Sequence, residues 1–367
     1  VSDPQARAVA LAALGWSQTA AEAAAWAALL AAHPRARPMR VAEQHRSGYR
    51  LADGPGSLHR AEAPAAWRAP RFPPEQRAAV GDWVLVEGRA EPLAIVALLP
   101  RRSLLKRGAA GEHLRLQPIA ANVDTVFVVA GLDADFNPRR LERYVLLVRN
   151  CGAAPVIVLS KHDKGGDLDA ALAALAGLRA EGVACVAVNA KDPASVAQLS
   201  PWLPAGASVA LVGSSGAGKS TLSNTLLGGE VQRTGAVRDR DGRGRHTTTH
   251  RSLLPLPGGA CLVDTPGMRE LKPAGDEQIE EGFADIEALS EGCRFRDCSH
   301  EREPGCAVQA ALAAGQLDPG RLANYRKLRA ELAAAAEILA ARQAKQAGDR
   351  VPARAPNRRR DEKPGRH

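Results

Sequence analysis

Ser208-Val209-Ala210-Leu211-Val212-Gly213-Ser214-Ser215-Gly216-Ala217-Gly218-Lys219-Ser220-Thr221 is the stretch on which the reading of this chain turns. Ser208 to Val212 reads as a buried strand, and a helix is expected from Gly218 onward. Between them, Gly213 to Ser220 fits G-x-x-x-x-G-K-[ST], in the strand-to-helix context that gives the motif its meaning. The glycines let the backbone wrap, so that the N–H groups of Gly213, Ser214, Ser215, Gly216, Ala217 and Gly218 can face a β-phosphate, reinforced by the helix N-terminus. Lys219 is expected to reach the β- and γ-phosphates, Ser220 to bind Mg²⁺, and Thr221 to lie near the α-phosphate.

Working outward toward the C-terminus, Cys261-Leu262-Val263 reads as a short buried strand and delivers Asp264-Thr265-Pro266-Gly267. A carboxylate there can hold Mg²⁺, and the Gly267 N–H can meet a γ-phosphate. The polar, Gly-rich segment Gly242 to His250 lies between the two elements and contains His246-Thr247-Thr248-Thr249. A threonine from it can close over Mg²⁺ as a switch loop does; Thr248 is the first choice and Thr247 the second. In Ras-like enzymes a Gln follows the D-x-x-G glycine and orients the attacking water. Met268 stands there in this chain, so slow intrinsic hydrolysis is expected. His246 either orients water once a partner orders its loop, or only packs the loop.

Working outward toward the N-terminus, apolar strands alternate with helices. The strands are expected at Asp124–Ala130, Pro155–Leu159 and Val183–Val188, and the helices at Pro138–Asn150 and from about Asp167. This texture predicts a mostly parallel, doubly wound sheet covered on both faces. Ser160-Lys161-His162-Asp163 follows one strand and is similar to the guanine-reading N-K-x-D motif. Asp163 can accept from guanine N1–H and the N2 amino group, and Lys161 can lay its stem along the base. Asn189-Ala190-Lys191 follows the next strand, where S-A-K is common. Both lie where open α/β sheets bind ligands. The base-reading elements precede the phosphate elements, the reverse of the ordinary order, so the nucleotide domain is read as circularly permuted.

Before this domain, short strands at Arg40–His45, Gly48–Leu51, Val80–Val86 and Leu93–Leu99, punctuated by Gly and Pro, predict a small all-β barrel or sandwich. Arg101, Arg102, Lys106 and Arg107 follow it; a solvated loop and a basic nucleic-acid-binding rim fit them equally. After the nucleotide domain, Cys293-x₄-Cys298-x-His300-x₅-Cys306 offers a Cys₃His set suited to tetrahedral structural zinc. Cys151, Cys185 and Cys261 are read as core residues. Six cysteines in 367 residues are too few for a disulfide scaffold. The net charge of +9 favours a polyanionic partner, and Arg342 to His367 carry nine Lys/Arg against three Asp/Glu, a basic arm with too little apolar surface to fold. Neither an apolar span nor a secretory signal is apparent, and a cytoplasmic location is expected.

The permuted order, the R-H-T-T-T-H segment and the C-x₄-C-x-H-x₅-C knuckle together resemble the ribosome small-subunit-dependent GTPase A family (RsgA/YjeQ), over residues 39 to about 340. A helical extension at 1–36 lies outside the shared core; the resemblance implies an OB-fold barrel at 37–112 and a permuted P-loop GTPase domain at 113–275. It also implies a helical zinc-binding domain at 276–345, while the basic tail at 346–367, expected to be disordered from its composition, lies outside the shared core. The resemblance further implies GTP hydrolysis stimulated by the small (30S) ribosomal subunit during late maturation of that subunit, contact with its rRNA, and a monomer with no membrane role. The implied nucleotide ligands are Gly213 to Thr221, Ser160 to Asp163, Asn189 to Lys191, Thr248, and Asp264 with Gly267. Lys219, Thr248 and His246 are assigned to catalysis. Magnesium falls to Ser220, Thr248 and Asp264, and zinc to Cys293, Cys298, His300 and Cys306. Ser160 replaces the family's common Asn or Thr, and Asn189 its common Ser, which bears on base affinity more than on base identity. The competing readings are a P-loop ATPase acting on nucleic acid and an RNA-binding adaptor with a nucleotide switch.

Overall fold

The computed structural model describes residues 4–16, 20–45, 48–69, 71–109, 112–229, 251–264, 283–295, 298–323, 325–327, 329–330, 333–334 and 337. Helices α1 (Pro4–Ala12) and α2 (Ala20–Ala32) open the chain. Strands β1 (Arg37–His45), β2 (Gly48–Ala52), β3 (His59–Glu62), β4 (Trp83–Glu87) and β5 (Leu93–Leu98) follow, in the ring order β1-β2-β3-β5-β4. The ring closes because β1 also pairs with β4, from Arg37↔Val86 to Arg40↔Trp83. The alternative of an open sandwich is thereby excluded. Strand β3, too short and polar to stand out, was absent from the sequence reading. The barrel interior is apolar: Met39, Val41, Leu51, Val84, Val86, Leu93 and Ile95 are buried together with Trp67. On its outside, Leu11, Leu14 and Trp26 of the helical preface pack against Trp83, Leu85 and Leu99.

A hairpin of β6 (Leu104–Ala109) and β7 (Glu112–Ala121) follows the barrel, and the end of β7 lies against the segment before β4, where the Ala121 N–H donates to the Val80 carbonyl at 2.9 Å. The four basic residues after β5 therefore do not form one loop. Lys106 and Arg107 lie on β6. Arg101 turns inward and grips the fully buried Asp82 carboxylate, with Nε at 2.7 Å and Nη2 at 2.6 Å. Burial of Asp82 explains the pairing: an unpaired carboxylate at that position would carry an uncompensated desolvation cost.

The larger sheet contains β8 (Thr125–Gly131), β9 (Ala154–Ser160), β10 (Ala184–Ala187), β11 (Ser208–Val212), β12 (Arg251–Pro255) and β13 (Cys261–Asp264), in the order β10-β9-β8-β11-β13-β12. All neighbours are parallel except β12, which is antiparallel to β13. The chain steps outward from β8 through β9 to β10, then returns to the other side of β8 with β11. That reversal opens a crevice at the C-terminal ends of β8 and β11. Helix α3 (Pro138–Asn150) buries Leu141, Tyr144, Val145, Leu147 and Val148. Asn137 caps it, accepting from the Arg140 N–H at 3.0 Å, and Pro138 begins its first turn. Helices α4 (Leu168–Ala174) and α5 (Ala176–Ala180) contribute Ala171 and Leu178 to the same core layer as α3. Helices α6 (Pro193–Val196) and α7 (Lys219–Leu227) contribute Val196 and Leu222 to a second layer, with Phe127, Val158 and Val209 from the sheet.

Sheet and barrel are continuous, because Glu43 and Gln44 of β1 pair with Ser252 and Arg251 of β12. Beyond the sheet, helices Ala284–Ser290 and Ala307–Ala313 and the helical residues from 319 onward enclose a small core of Phe283, Ile286, Val308, Leu317, Leu322 and Tyr325, onto which Leu146 of α3 packs.

Candidate functional site

The loop Gly213–Gly218 runs from the end of β11 to the first residue of α7, at the point where strand order reverses. Its shape depends on glycine. Gly213 has φ 141°, and a Cβ there would lie 2.1 Å from the Val129 carbonyl oxygen. Gly218, at φ 93°, is the residue from which α7 starts. Lys219 points back over the loop and donates from Nζ to the carbonyls of Gly213 at 2.8 Å and Ser214 at 2.5 Å. The N-terminus of α7 adds positive potential beside that ammonium, a combination suited to a polyphosphate.

Both base-side loops lie beside this loop. Ser160 ends β9 fully buried, and its hydroxyl donates to the carbonyl of Ala217 at 2.5 Å. The residue flagged as a departure from Asn thus grips the phosphate loop directly. Lys161 adopts a left-handed backbone with φ 61°. It opens a short turn, His162–Lys164, that leaves His162 and Asp163 exposed. The Asn189 side chain accepts from the Lys191 N–H at 3.1 Å and sets the second loop. Thr225 of α7 donates to the Ala190 carbonyl at 2.6 Å. Ser220 and Thr221 sit in the first turn of α7, and Asp264 ends β13, the neighbour of β11. His246, Thr247, Thr248, Gly267 and Met268 lie outside the described residues.

Two carboxylates of the β8–α3 loop join the site without having been singled out in the sequence. Asp133 accepts from Lys161 Nζ at 2.5 Å, and Asp135 accepts from the Ser214 hydroxyl and from Arg140 at 2.8 Å. The hydrogen bond from Lys161 holds the Asp133 carboxyl below its ordinary 3.8. Asp133-Ala134-Asp135 matches no motif; its position after a parallel strand was the available signal.

The second site is the cysteine cluster. The ligand atoms of Cys293, Cys298, His300 and Cys306 all lie within 4.8 Å of one another. Cys293 Sγ is 3.8 Å from Cys306 Sγ, and His300 Nδ1 is 3.6 Å and 3.5 Å from those two sulfurs. Tetrahedral bonds of about 2.3 Å to sulfur and about 2.0 Å to nitrogen give edges of about 3.8 Å and about 3.5 Å, so the donor set fits zinc by chemistry and spacing. Desolvation, and then the Arg326 charge, lower the His300 value and favour the neutral imidazole a metal requires. Desolvation and the two neighbouring cysteines push the Cys298 thiol up to about 11, a shift that a bound cation reverses. The loop is held by Glu303, whose carboxylate takes the Ser299 hydroxyl and the N–H groups of Ser299, Glu301 and Arg302, and its value falls to about 2, chiefly through Ser299. Cys261 is buried and Cys151 and Cys185 are half-buried, and desolvation raises all three thiols.

A phosphate loop at the switch point, with base-side loops on strands that precede it in the chain, defines a circularly permuted nucleotide-binding protein of the GTPase class. The family model for the RsgA GTPase matches residues 98–274. A small ribosomal subunit biogenesis GTPase RsgA from Xanthomonas euvesicatoria pv. vesicatoria (strain 85-10) is 63% identical over 322 residues, 88% of each chain. The protein of the same name from Xanthomonas campestris pv. campestris (strain B100) is 63% identical over 319 residues, 87% of each. Among solved structures, YjeQ from Thermotoga maritima superposes with a TM-score of 0.56 at 24% identity, covering 81% of this chain and 98% of that one. YloQ, described as a circularly permuted GTPase, gives 0.57 at 22%, covering 82% and 96%. The chain belongs to the RsgA GTPase family, and its activity is GTP hydrolysis with GTP, GDP and Mg²⁺ as ligands.

Proposed function

We propose that this GTPase works on the small ribosomal subunit late in its maturation, contacts its rRNA, and turns over faster when bound to it. The observation that carries the reading is the wiring of the base side to the phosphate side. Ser160 to Ala217 and Thr225 to Ala190 join elements that a permuted chain delivers in reverse order. The relatives named for small-subunit biogenesis supply the partner.

In this reading Asp163 accepts from guanine N1–H and N2, Lys161 lays its stem on the base, and the Asn189–Lys191 loop contacts the base edge, with Ser160 and His162 shaping the first loop. The backbone of Gly213–Gly218 cradles the β-phosphate, Lys219 holds the β- and γ-phosphates, and Thr221 lies by the α-phosphate. Ser220, Asp264 and Thr248 hold Mg²⁺, which supplies charge neutralisation at the β- and γ-oxygens. Gly267 meets the γ-phosphate. His246 orients water when the subunit orders its loop, in place of the glutamine that Met268 displaces. Cys293, Cys298, His300 and Cys306 hold one structural zinc. The domains run 1–36, 37–112, 113–275, 276–345 and 346–367, and the chain acts as a cytoplasmic monomer. No helix among the described residues is long and apolar enough to cross a membrane.

The test is multiple-turnover GTP hydrolysis titrated with purified small subunits, with ATP in parallel. Saturable stimulation with GTP, weakened by Asp163→Ala, is expected. Turnover that subunits leave unchanged overturns the reading, and equal turnover of ATP would place the chain among P-loop ATPases.

A further inference from the structure

Where α3 meets the C-terminal helical region there is a cavity of about 420 Å³, and its lining includes Asn137, Arg139, Arg140 and Arg143 from the start of α3 and Lys327 from the facing helix. The N-terminal turn of α3 opens into it, so the helix dipole adds to the side-chain charge. Three carboxylates sit nearby. Arg139 is paired with Glu142 and with Asp318, and its guanidinium reaches Asp318 by crossing Gly320, where a Cβ would fall on the Arg139 head group. Arg140 is paired with Asp135. Arg143 is half-buried, and Lys327 is exposed and brings positive charge to the surface.

Asp135 gives this groove its interest. One carboxylate oxygen takes Arg140 Nη2 at 2.8 Å, and the other takes the hydroxyl of Ser214 in the phosphate loop. Occupancy of the groove and the conformation of the phosphate loop therefore share one side chain. An anion in the groove competes with Asp135 for Arg140, and whatever Arg140 gives up changes the hold that Asp135 has on Ser214. Asp133, two residues earlier in the same loop, reports to Lys161 on the base side. The same helix packs Leu146 onto the small core beside the cysteine cluster, so α3 touches both that region and the nucleotide sheet.

We propose that this groove docks a backbone phosphate of RNA, and that Asp135 passes its occupancy to the phosphate loop. The proposal deepens the small-subunit reading and rests on it. A polyphosphate backbone is the occupant that the observations favour. The site offers four basic side chains and a helix N-terminus, and the chain as a whole carries +9. Asp135 is a positioning residue, acting through Ser214 rather than on substrate.

The full chain is tested in two variants against small subunits and their purified rRNA. Reversing the groove in Arg143→Glu/Lys327→Glu is expected to weaken RNA binding at least about tenfold and to lower the slope of log affinity on log salt by about one per lost contact. A thermal midpoint matching wild type establishes that this variant is folded. Asp135→Asn keeps an acceptor for Ser214 but removes the charge Arg140 senses. Its half-saturating subunit concentration is expected to stay within about twofold while stimulated turnover falls about tenfold. A merely structural role would not split those two parameters. Unchanged RNA affinity and salt slope in the reversed groove overturn the docking site, and wild-type stimulation in Asp135→Asn overturns the relay. If wild-type turnover does not respond to subunits at all, the proposed function fails first and this inference falls with it.

Discussion

Ser160 and Asp133 show how single side chains set the nucleotide site. Ser160 has a shorter reach than Asn, yet its hydroxyl meets the Ala217 carbonyl because Gly218 presents no Cβ; one would sit 3.3 Å from that hydroxyl. Ser160→Ala leaves a buried carbonyl without this donor, and GDP affinity is expected to fall about fivefold, or about 1 kcal/mol, in a fluorescent-nucleotide titration. Guanine-over-adenine preference should be retained, since in the proposed reading Asp163 selects the base. Asp133 carries a pH prediction. Its folded value is depressed below 3.8 by Lys161, so the stabilisation is fully present above 3.8 and is lost as pH falls through the folded value. The difference in thermal midpoint between wild type and Asp133→Asn should be flat from about pH 5 upward and close at lower pH.

At the scale of elements, the cysteine knuckle and the helix that follows it behave as one unit. Cys306 is both a candidate ligand and the N-cap of helix Ala307–Ala313, its sulfur accepting from the Gln309 N–H at 3.4 Å. Gln309 in turn donates to the His300 carbonyl at 2.5 Å. Ligand geometry and helix start are thereby fixed together, and removing the metal should loosen both. We expect one zinc per chain by elemental analysis, a clear loss of zinc in Cys293→Ser, and a lower thermal midpoint after chelation. A midpoint that chelation leaves unmoved would argue against a structural metal. Helix α3 is legible as an element from its spacing, with Leu141, Val145 and Val148 buried as expected. Its polar face carries Arg139, Arg140 and Arg143, and their purpose was not legible, because the groove they line is completed by residues nearly two hundred positions away.

At the scale of the whole molecule, Arg40 is the joint. It is fully buried on β1 and stacks 5.5 Å from the Trp83 ring. Its guanidinium donates to Gly81 of the barrel at 3.2 Å, to the Leu14 carbonyl of the preface, to the Asn122 carbonyl at 3.3 Å and to the Ser208 hydroxyl at 2.7 Å. Ser208 begins the strand that ends at the phosphate loop, so barrel, preface and nucleotide sheet meet on one cation. Desolvation lowers the Arg40 value, but a guanidinium with five donors and these acceptors stays charged. Arg40→Met should cost about 3 kcal/mol in denaturant unfolding, because buried carbonyls lose their donor. An effect below about 0.5 kcal/mol would show that water or repacking satisfies them.

The local chemistry was determined by sequence alone. The phosphate loop, the base-side tetrapeptide and the Cys₃His spacing are short-range patterns held within a few to about a dozen positions, and the permuted order follows from the sequence positions of such motifs. Strand and helix positions in the nucleotide domain followed from apolar runs and caps for the same reason. Tertiary structure alone decided which loops touch. Closure of the barrel through β1 and β4, the inward turn of Arg101 onto Asp82, the grip of Ser160 on Ala217 and the Asp135 bridge from Ser214 to Arg140 join residues far apart in the chain. Such contacts arise only after strand order is set, because burial, not local propensity, selects which polar groups must find one another.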